Sequence, residues 1–73
     1  DGPQTAAEHR EQLAQLGEAI KQLRPEEQEV FLLRQNGQLK YEEIADAVGI
    51  PLGTVKTRMR RALSDLRLAL GET

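Results

Sequence analysis

A three-residue break, Gly49-Ile50-Pro51, constrains the fold of this chain more than any other feature. It separates two stretches whose apolar residues recur at helical spacing. The first stretch has one apolar face, formed by Tyr41, Ile44, Ala45 and Val48. Gly49 can adopt the left-handed conformation that ends a helix, and Pro51 fixes φ for the start of the next one. Two helices joined by so short a turn cross steeply, which is the helix-turn-helix layout.

The second helix of this unit combines an apolar stripe with a cationic face. At 100° per residue, the stripe comprises Val55, Met59, Ala62, Leu66 and Leu70. The opposite face carries Thr57, Arg60, Arg61 and Ser64, with Lys56 and Arg58 on the flanks. No acidic residue lies between Lys56 and Arg61, and Arg and Thr commonly bind base edges and phosphates. The pattern favours DNA recognition over a face that is only solvated.

Positions on this face predict two kinds of DNA contact. The residues expected to contact bases, because they share the outward face, are Thr57, Arg60 and Arg61. The residues expected to contact phosphates are Thr54, Lys56 and Arg58. Among these, the amides around Thr54 form the positive end of the helix, and the two cations diverge toward the groove walls.

Length and composition exclude several other classes of function. Seventy-three residues make one small domain, and the chain has no Cys and a single His. With no phosphate-binding loop and no paired carboxylates in a plausible cleft, we expect no enzyme activity, no cofactor, no metal and no small-molecule ligand. No apolar run approaches the about 20 residues that span a bilayer, so we expect a cytoplasmic protein without a membrane partner.

Charge is divided unevenly along the chain. Residues 1–50 carry five Lys and Arg against ten Asp and Glu, whereas residues 51–73 carry five against two. Positive charge is therefore concentrated on the proposed recognition helix. This asymmetry predicts weak, locally aimed DNA binding and leaves the acidic half for other partners. A module that binds only a protein partner, with the basic helix incidental, is the alternative from another functional class.

The first half of the chain predicts two further helices. A capping box at Thr5 and Glu8 places the start of the first near Ala6. Its apolar stripe is Leu13, Leu16, Ile20 and Leu23. Gly17 lies at the edge of that stripe at a cost of about 1 kcal/mol, so either another helix approaches closely or this helix is marginal there.

The second helix begins at Pro25 and ends at Asn36-Gly37. Residues 30–33 are apolar on nearly all sides, which indicates the buried centre of the domain. Glu26 and Glu27 are interpreted as favouring the positive helix start and as solubilising the surface.

The resulting prediction is a compact all-α domain with a C-terminal helix-turn-helix. Its four helices span residues 6–22, 25–36, 41–48 and 52–70. Residues 1–12 are expected to be a flexible end with the start of the first helix, 13–70 the domain, and 71–73 a C-terminal end. The predicted core comprises Val30, Phe31, Ile44, Val48, Ile50, Val55, Met59 and Leu66.

Three motifs in order strengthen the DNA-binding interpretation: PEEQ at 25–28 followed by VFLL at 30–33, YEEIA at 41–45, and GTVKTR at 53–58. With these motifs, the chain from about Leu13 to Leu70 resembles region 4 of bacterial sigma-70-family RNA polymerase sigma factors, of the extracytoplasmic-function (ECF) type. It departs from the usual pattern in two places. Lys40 stands where a capping Ser is usual, and Ser64-Asp65 makes the end of the last helix less basic.

The resemblance implies a function and partners. Such domains bind the −35 element of double-stranded promoter DNA through their last helix and dock on the β-subunit flap of RNA polymerase through the earlier helices. Anti-sigma factors can cover them. The resemblance also assigns DNA contacts to Lys56, Thr57, Arg60 and Arg61. The DNA-binding domain of LuxR-type response regulators is the nearest alternative, but that family usually has His and Asn where this chain has Arg58 and Arg61.

Overall fold

The computed structural model describes residues 3–71, with side chains from residue 8 onward. Its four helices are α1 (Pro3–Lys21), α2 (Pro25–Gln35), α3 (Tyr41–Val48) and α4 (Leu52–Ala69). No strand occurs among the described residues, so the all-α prediction is confirmed. The bounds of α3 agree with the prediction, and α2 and α4 each end one residue earlier than predicted.

The start of α1 differs from the prediction. The capping box at Thr5 and Glu8 predicts a start near Ala6, but the helix already includes Pro3 and Gln4. Thr5 therefore lies inside the helix, and the capping interpretation is wrong. Proline at the first helical position explains the earlier start, since its fixed φ suits a helix and its missing N–H has no helical partner there.

Helix α4 contacts each of the other three helices. It contributes Val55, Met59, Ala62 and Leu66 to the buried core. The expectation that α2 is the buried centre needs correction, because only Val30 and Phe31 of its apolar run are buried and Leu32 and Leu33 are half-buried. The helix predicted to face DNA is thus also the one around which the domain packs.

Six of the eight predicted core residues are buried: Val30, Phe31, Ile44, Val55, Met59 and Leu66. The other two, Val48 and Ile50, are half-buried and pack against this core. Ala19, Leu23 and Ala62 complete the buried cluster. At the other end of the α1 stripe, Leu13 remains 56% exposed, so the stripe extends beyond the part of α1 that packs on α4.

The turn between α3 and α4 has the predicted geometry. Gly49 has φ 79° and ψ 36°, in the left-handed region, and its N–H donates to the Ala45 carbonyl at 2.8 Å. The Ile50 N–H donates to the same carbonyl at 3.1 Å. Pro51 then accepts hydrogen bonds from the Thr54 and Val55 amides and starts α4.

Helix α3 begins without a capping side chain from Lys40, as predicted, since an ammonium group cannot accept a hydrogen bond. Glu43 makes half of a capping box instead, because its Oε1 accepts the Lys40 backbone N–H at 2.7 Å. In the loop before Lys40 the left-handed residue is Gln38, with φ 55°, rather than Gly37. Gly37 is required for another reason: a Cβ there would lie 2.7 Å from the Leu33 carbonyl oxygen.

Candidate nucleic-acid interface

The outward face of α4 presents the predicted base-contacting residues to solvent. Thr57, Arg60 and Arg61 are all exposed, as are Lys56 and Ser64. On the opposite side of the helix, Val55 and Ala62 have no solvent exposure. Burial of the apolar stripe therefore orients the polar side chains away from the body, on one continuous face.

The other two predicted phosphate-contacting residues, Thr54 and Arg58, are half-buried. Both lie on the flank of α4, between its exposed face and its buried stripe. No side chain caps the start of α4, and the amides of Leu52 and Gly53 have no backbone partner among the described hydrogen bonds. These N–H groups and the helix dipole make the start of α4 favourable for an anion.

The cations of this face are not neutralised by carboxylates in residues 3–71. Neither Lys56 nor Arg58, Arg60 or Arg61 forms a hydrogen bond or an ion pair within the part of the chain that the structure describes. The one described ion pair joins the exposed side chains of Lys21 and Glu18 at 3.5 Å, on α1. Positive charge on α4 is therefore available to an external anion.

A second group of cations lies beside the first turn of α4. Arg34 at the end of α2, Lys40 before α3 and Lys56 on α4 line one hollow of about 230 Å³, together with Tyr41 and Glu42. Neither Arg34 nor Lys40 is among the site residues predicted from the sequence. The sequence shows two cations on either side of the α2–α3 loop, which could have indicated a basic site. Their proximity to Lys56, however, depends on how three helices pack.

Arg34 is held in place by two contacts. Its Nη1 donates to the Leu39 carbonyl oxygen at 3.0 Å, and its Cζ lies 5.7 Å from the centroid of the Tyr41 ring. The second distance is within the range of a cation–π interaction. A guanidinium group has five N–H donors, so these contacts leave others free to bind an anion.

A surface of mixed apolar and polar side chains lies at the junction of α1 with the end of α4. A hollow of about 640 Å³ is lined by Ala14, Gln15, Glu18, Ala19, Gln22, Ala69, Leu70 and Gly71. A neighbouring hollow of about 490 Å³ shares Gln15 and Leu70 and adds His9, Gln12, Leu13 and Leu16. Leu70, predicted to continue the buried stripe of α4, is 37% exposed here and lies one residue past the end of that helix. We call this surface the α1–α4 groove.

The burial of Glu27 contradicts the interpretation that both Glu26 and Glu27 solubilise the surface. It is 3% exposed, whereas the adjacent Glu26 is exposed, so only Glu26 can serve the solubilising role assigned to both. Burial raises the pKa of the Glu27 carboxyl above its ordinary value of 4.5, and the Asp65 carboxyl beside it raises that pKa further. Arg24 opposes the rise. Glu27 Oε1 has no hydrogen-bond partner in the described residues.

Comparison with known protein families agrees with this geometry. The family described as Sigma-70, region 4 matches residues 13–66, which is most of the chain. The chain belongs to this family. The match identifies it as a sigma-70 region 4 domain and favours this assignment over the LuxR-type alternative. Sigma factors are transcription factors rather than enzymes.

Relatives of this region 4 domain are named as sigma factors. An RNA polymerase sigma-E factor of Streptomyces antibioticus is 44% identical over 54 residues, covering 74% of this chain and 30% of that protein. The ECF RNA polymerase sigma factor RpoE of Cereibacter sphaeroides is 44% identical over 61 residues, covering 82% and 33%. A sigma-E factor of Streptomyces coelicolor is 40% identical over 62 residues, covering 85% and 35%. These similarities support the ECF type.

The region 4 domain spans about a third of the length of these relatives. No solved structure matches it. None of its described helices is long and apolar enough to cross a membrane. Within residues 3–71, no group of three or more potential ligand side chains is arranged to hold a metal ion.

Proposed function

We propose that this sigma region 4 domain binds the −35 element of duplex promoter DNA with α4 in the major groove. The observation that supports this most directly is the exposed face of α4, where cations without carboxylate partners follow the helix-turn-helix turn. Thr57, Arg60 and Arg61 are the proposed base contacts, because they lie together on the outward side.

Phosphate contacts are proposed on both sides of this face. Lys56 and Arg58 extend toward the groove walls, and the amides near Thr54 provide a positive helix end. Arg34 and Lys40 extend the phosphate footprint on the Lys56 side, since the three cations border one hollow. Glu42 lines the same hollow and limits how closely a phosphate can enter it.

The α1–α4 groove is the proposed docking site for the flap of the RNA polymerase β subunit. It offers exposed Leu13 and Leu70 side chains on a surface separate from the outward face of α4. One domain would then contact promoter DNA and polymerase at once, which suits a domain of the sigma-factor family. An anti-sigma factor that covers this groove would block polymerase binding. Both partners imply action in the cytoplasm, where DNA and polymerase are located.

DNA binding is tested with the 73-residue chain, a matched −35 duplex, a scrambled duplex and a salt series. With three or four phosphate contacts, the slope of log K against log salt should be roughly −3 to −4. Arg61→Ala should cost about 1–3 kcal/mol on the matched duplex and relax preference at particular base pairs. Lys56→Ala should weaken both duplexes alike and reduce the slope by about one.

Arg10→Ala provides the charge-matched control, because Arg10 is an exposed cation on α1 and belongs to no part of the proposed interface. It should change neither affinity nor slope by a comparable amount. Equal losses for Arg61→Ala on both duplexes would make Arg61 a phosphate contact only. If neither duplex shows salt-dependent binding, the protein-interaction alternative replaces the proposal.

A further inference from the structure

Glu27 is a buried acidic residue that neither DNA binding nor polymerase docking uses. It lies in the first turn of α2, four residues before Phe31, on the side of the helix that packs against α4. It is 3% exposed, and its Oε1 has no hydrogen-bond partner among the described residues. An ionised carboxylate buried without donors is strongly disfavoured relative to one in water.

Few charged groups face this carboxyl. Across the helix interface, the Asp65 side chain of α4 lies within hydrogen-bonding reach of Glu27. From the α2 side, Glu26 adds a second negative charge and Arg24 the one positive charge that acts on Glu27. Two carboxyl groups can form a hydrogen bond only if one of them carries a proton. Asp65 is exposed and keeps contact with water, so Glu27 is the group better suited to hold that proton.

We propose that Glu27 and Asp65 share one proton in the folded domain, through a carboxyl–carboxylate hydrogen bond that joins α2 to α4. The Glu27 O–H donates and an oxygen of the Asp65 side chain accepts. The proton comes from solvent on folding and returns to it on unfolding. The bond links the start of α2 to the helix that carries the proposed DNA-binding face. It does not depend on that proposed function.

This arrangement sets the sign of a pH effect. The pKa of Glu27 is higher in the folded chain than in the unfolded chain, chiefly through burial and then through Asp65, while Arg24 lowers it less. Its stabilising contribution is therefore complete below the unfolded pKa and is lost as pH rises through the folded pKa. Rising pH should loosen the α2–α4 contact by ionising Glu27 beside Asp65.

The test compares thermal unfolding of the wild-type chain and Glu27→Gln between about pH 4.5 and pH 8. A glutamine amide donates to Asp65 without needing a proton. Glu27→Gln should have a higher midpoint than the wild type at the upper end of this range, and the difference should shrink toward the lower end. Glu29→Gln is the matched control, because Glu29 is exposed on the same helix and is not among the groups that shift the pKa of Glu27. Its difference from the wild type should stay nearly constant with pH.

Two further measurements separate the shared proton from a packing effect. Asp65→Asn places a hydrogen-bond donor on α4, so the thermal midpoint of this variant should also depend less on pH than that of the wild type. In the double variant Glu27→Gln/Asp65→Asn, the change in stability should differ from the sum of the two single changes. Carboxyl-carbon NMR of the wild type should show Glu27 titrating above its ordinary value of 4.5. Titration of Glu27 at or below its ordinary value of 4.5 would overturn the proposal, even if a variant fails to fold. Parallel unfolding curves for the wild type and Glu27→Gln would overturn it too.

Discussion

Phe31 is the one aromatic side chain within the buried core, at 4% exposure. It stands beside Val30, which has no exposure, on the face of α2 that packs against α4. A domain of this size has only a few such contacts, and its total free energy of unfolding is of the order of 5–15 kcal/mol at most. The loss of one large buried side chain is therefore a substantial fraction of that stability.

We expect Phe31→Ala to lower the free energy of unfolding by about 3–5 kcal/mol, because it removes a buried ring and leaves a cavity between α2 and α4. Chemical denaturation followed by circular dichroism measures this loss. Leu32→Ala, at a half-buried position next to it, should cost less. A soluble Phe31→Ala variant with an unchanged thermal midpoint would remove Phe31 from the core.

Helix α1 differs from the other helices because much of its length is exposed to solvent. Residues 8–15 are all exposed, and burial begins only toward the C-terminal half, where Ala19 packs into the core. The end of α1 is tied to α2, since the Gln28 Nε2 donates to the Ile20 carbonyl oxygen at 3.2 Å. Gly17 lies where burial begins, and no atom lies within 4 Å of a Cβ added there. Close approach of another helix is therefore not the reason for this glycine.

We expect Gly17→Ala to stabilise the domain by up to about 1 kcal/mol, since alanine loses less backbone entropy in a helix and meets no obstacle here. For a chain of this length, that corresponds to a rise of several degrees in the thermal midpoint, roughly 4–8 °C per kcal/mol.

Gly37→Ala provides the opposite control for this substitution. Its added Cβ would lie 2.7 Å from the Leu33 carbonyl oxygen, so this variant should be destabilised. A lower midpoint for Gly17→Ala would show that α1 does not gain from helix propensity at this position.

The whole molecule has two candidate interaction surfaces, the outward face of α4 and the α1–α4 groove. Both surfaces involve α4. Its outward face carries the cations, and its last residue, Ala69, lines the α1–α4 groove together with Leu70. Their chemistry differs: the first exposes Arg60 and Arg61, and the second exposes Leu13 and Leu70. A partner of one surface should therefore tolerate changes in the other.

We expect Leu13→Glu to weaken binding to an isolated β-flap fragment at least tenfold while leaving affinity for the −35 duplex within about twofold, because one desolvated contact of this kind contributes about 1.4 kcal/mol or more. Fluorescence anisotropy with labelled flap and labelled duplex measures both. Leu68→Glu is the matched control, since Leu68 is 71% exposed and does not line the groove. Equal loss of flap binding in both variants would contradict the proposed docking site.

Local chemistry in the sequence was enough to predict four helices, apart from the start of α1, and the orientation of α4. Apolar periodicity depends on neighbours three and four residues apart, and the Gly49 turn depends on one backbone conformation, so both can be predicted without tertiary contacts. The same periodicity predicted exposure of Thr57, Arg60 and Arg61, and the structure has these residues on one solvent-facing side. Their contacts with bases stay a prediction.

Burial and contacts that join residues far apart in the chain were decided only by the tertiary packing. It made α4, rather than α2, the largest contributor to the buried apolar core. It buried Glu27 opposite Asp65, 38 positions later in the chain, and brought Arg34 beside Lys56. It also left Leu13 exposed although its helical phase matched the buried stripe. Periodicity specifies which side of a helix is apolar, whereas crossing angles and helix lengths specify how much of that side finds a partner.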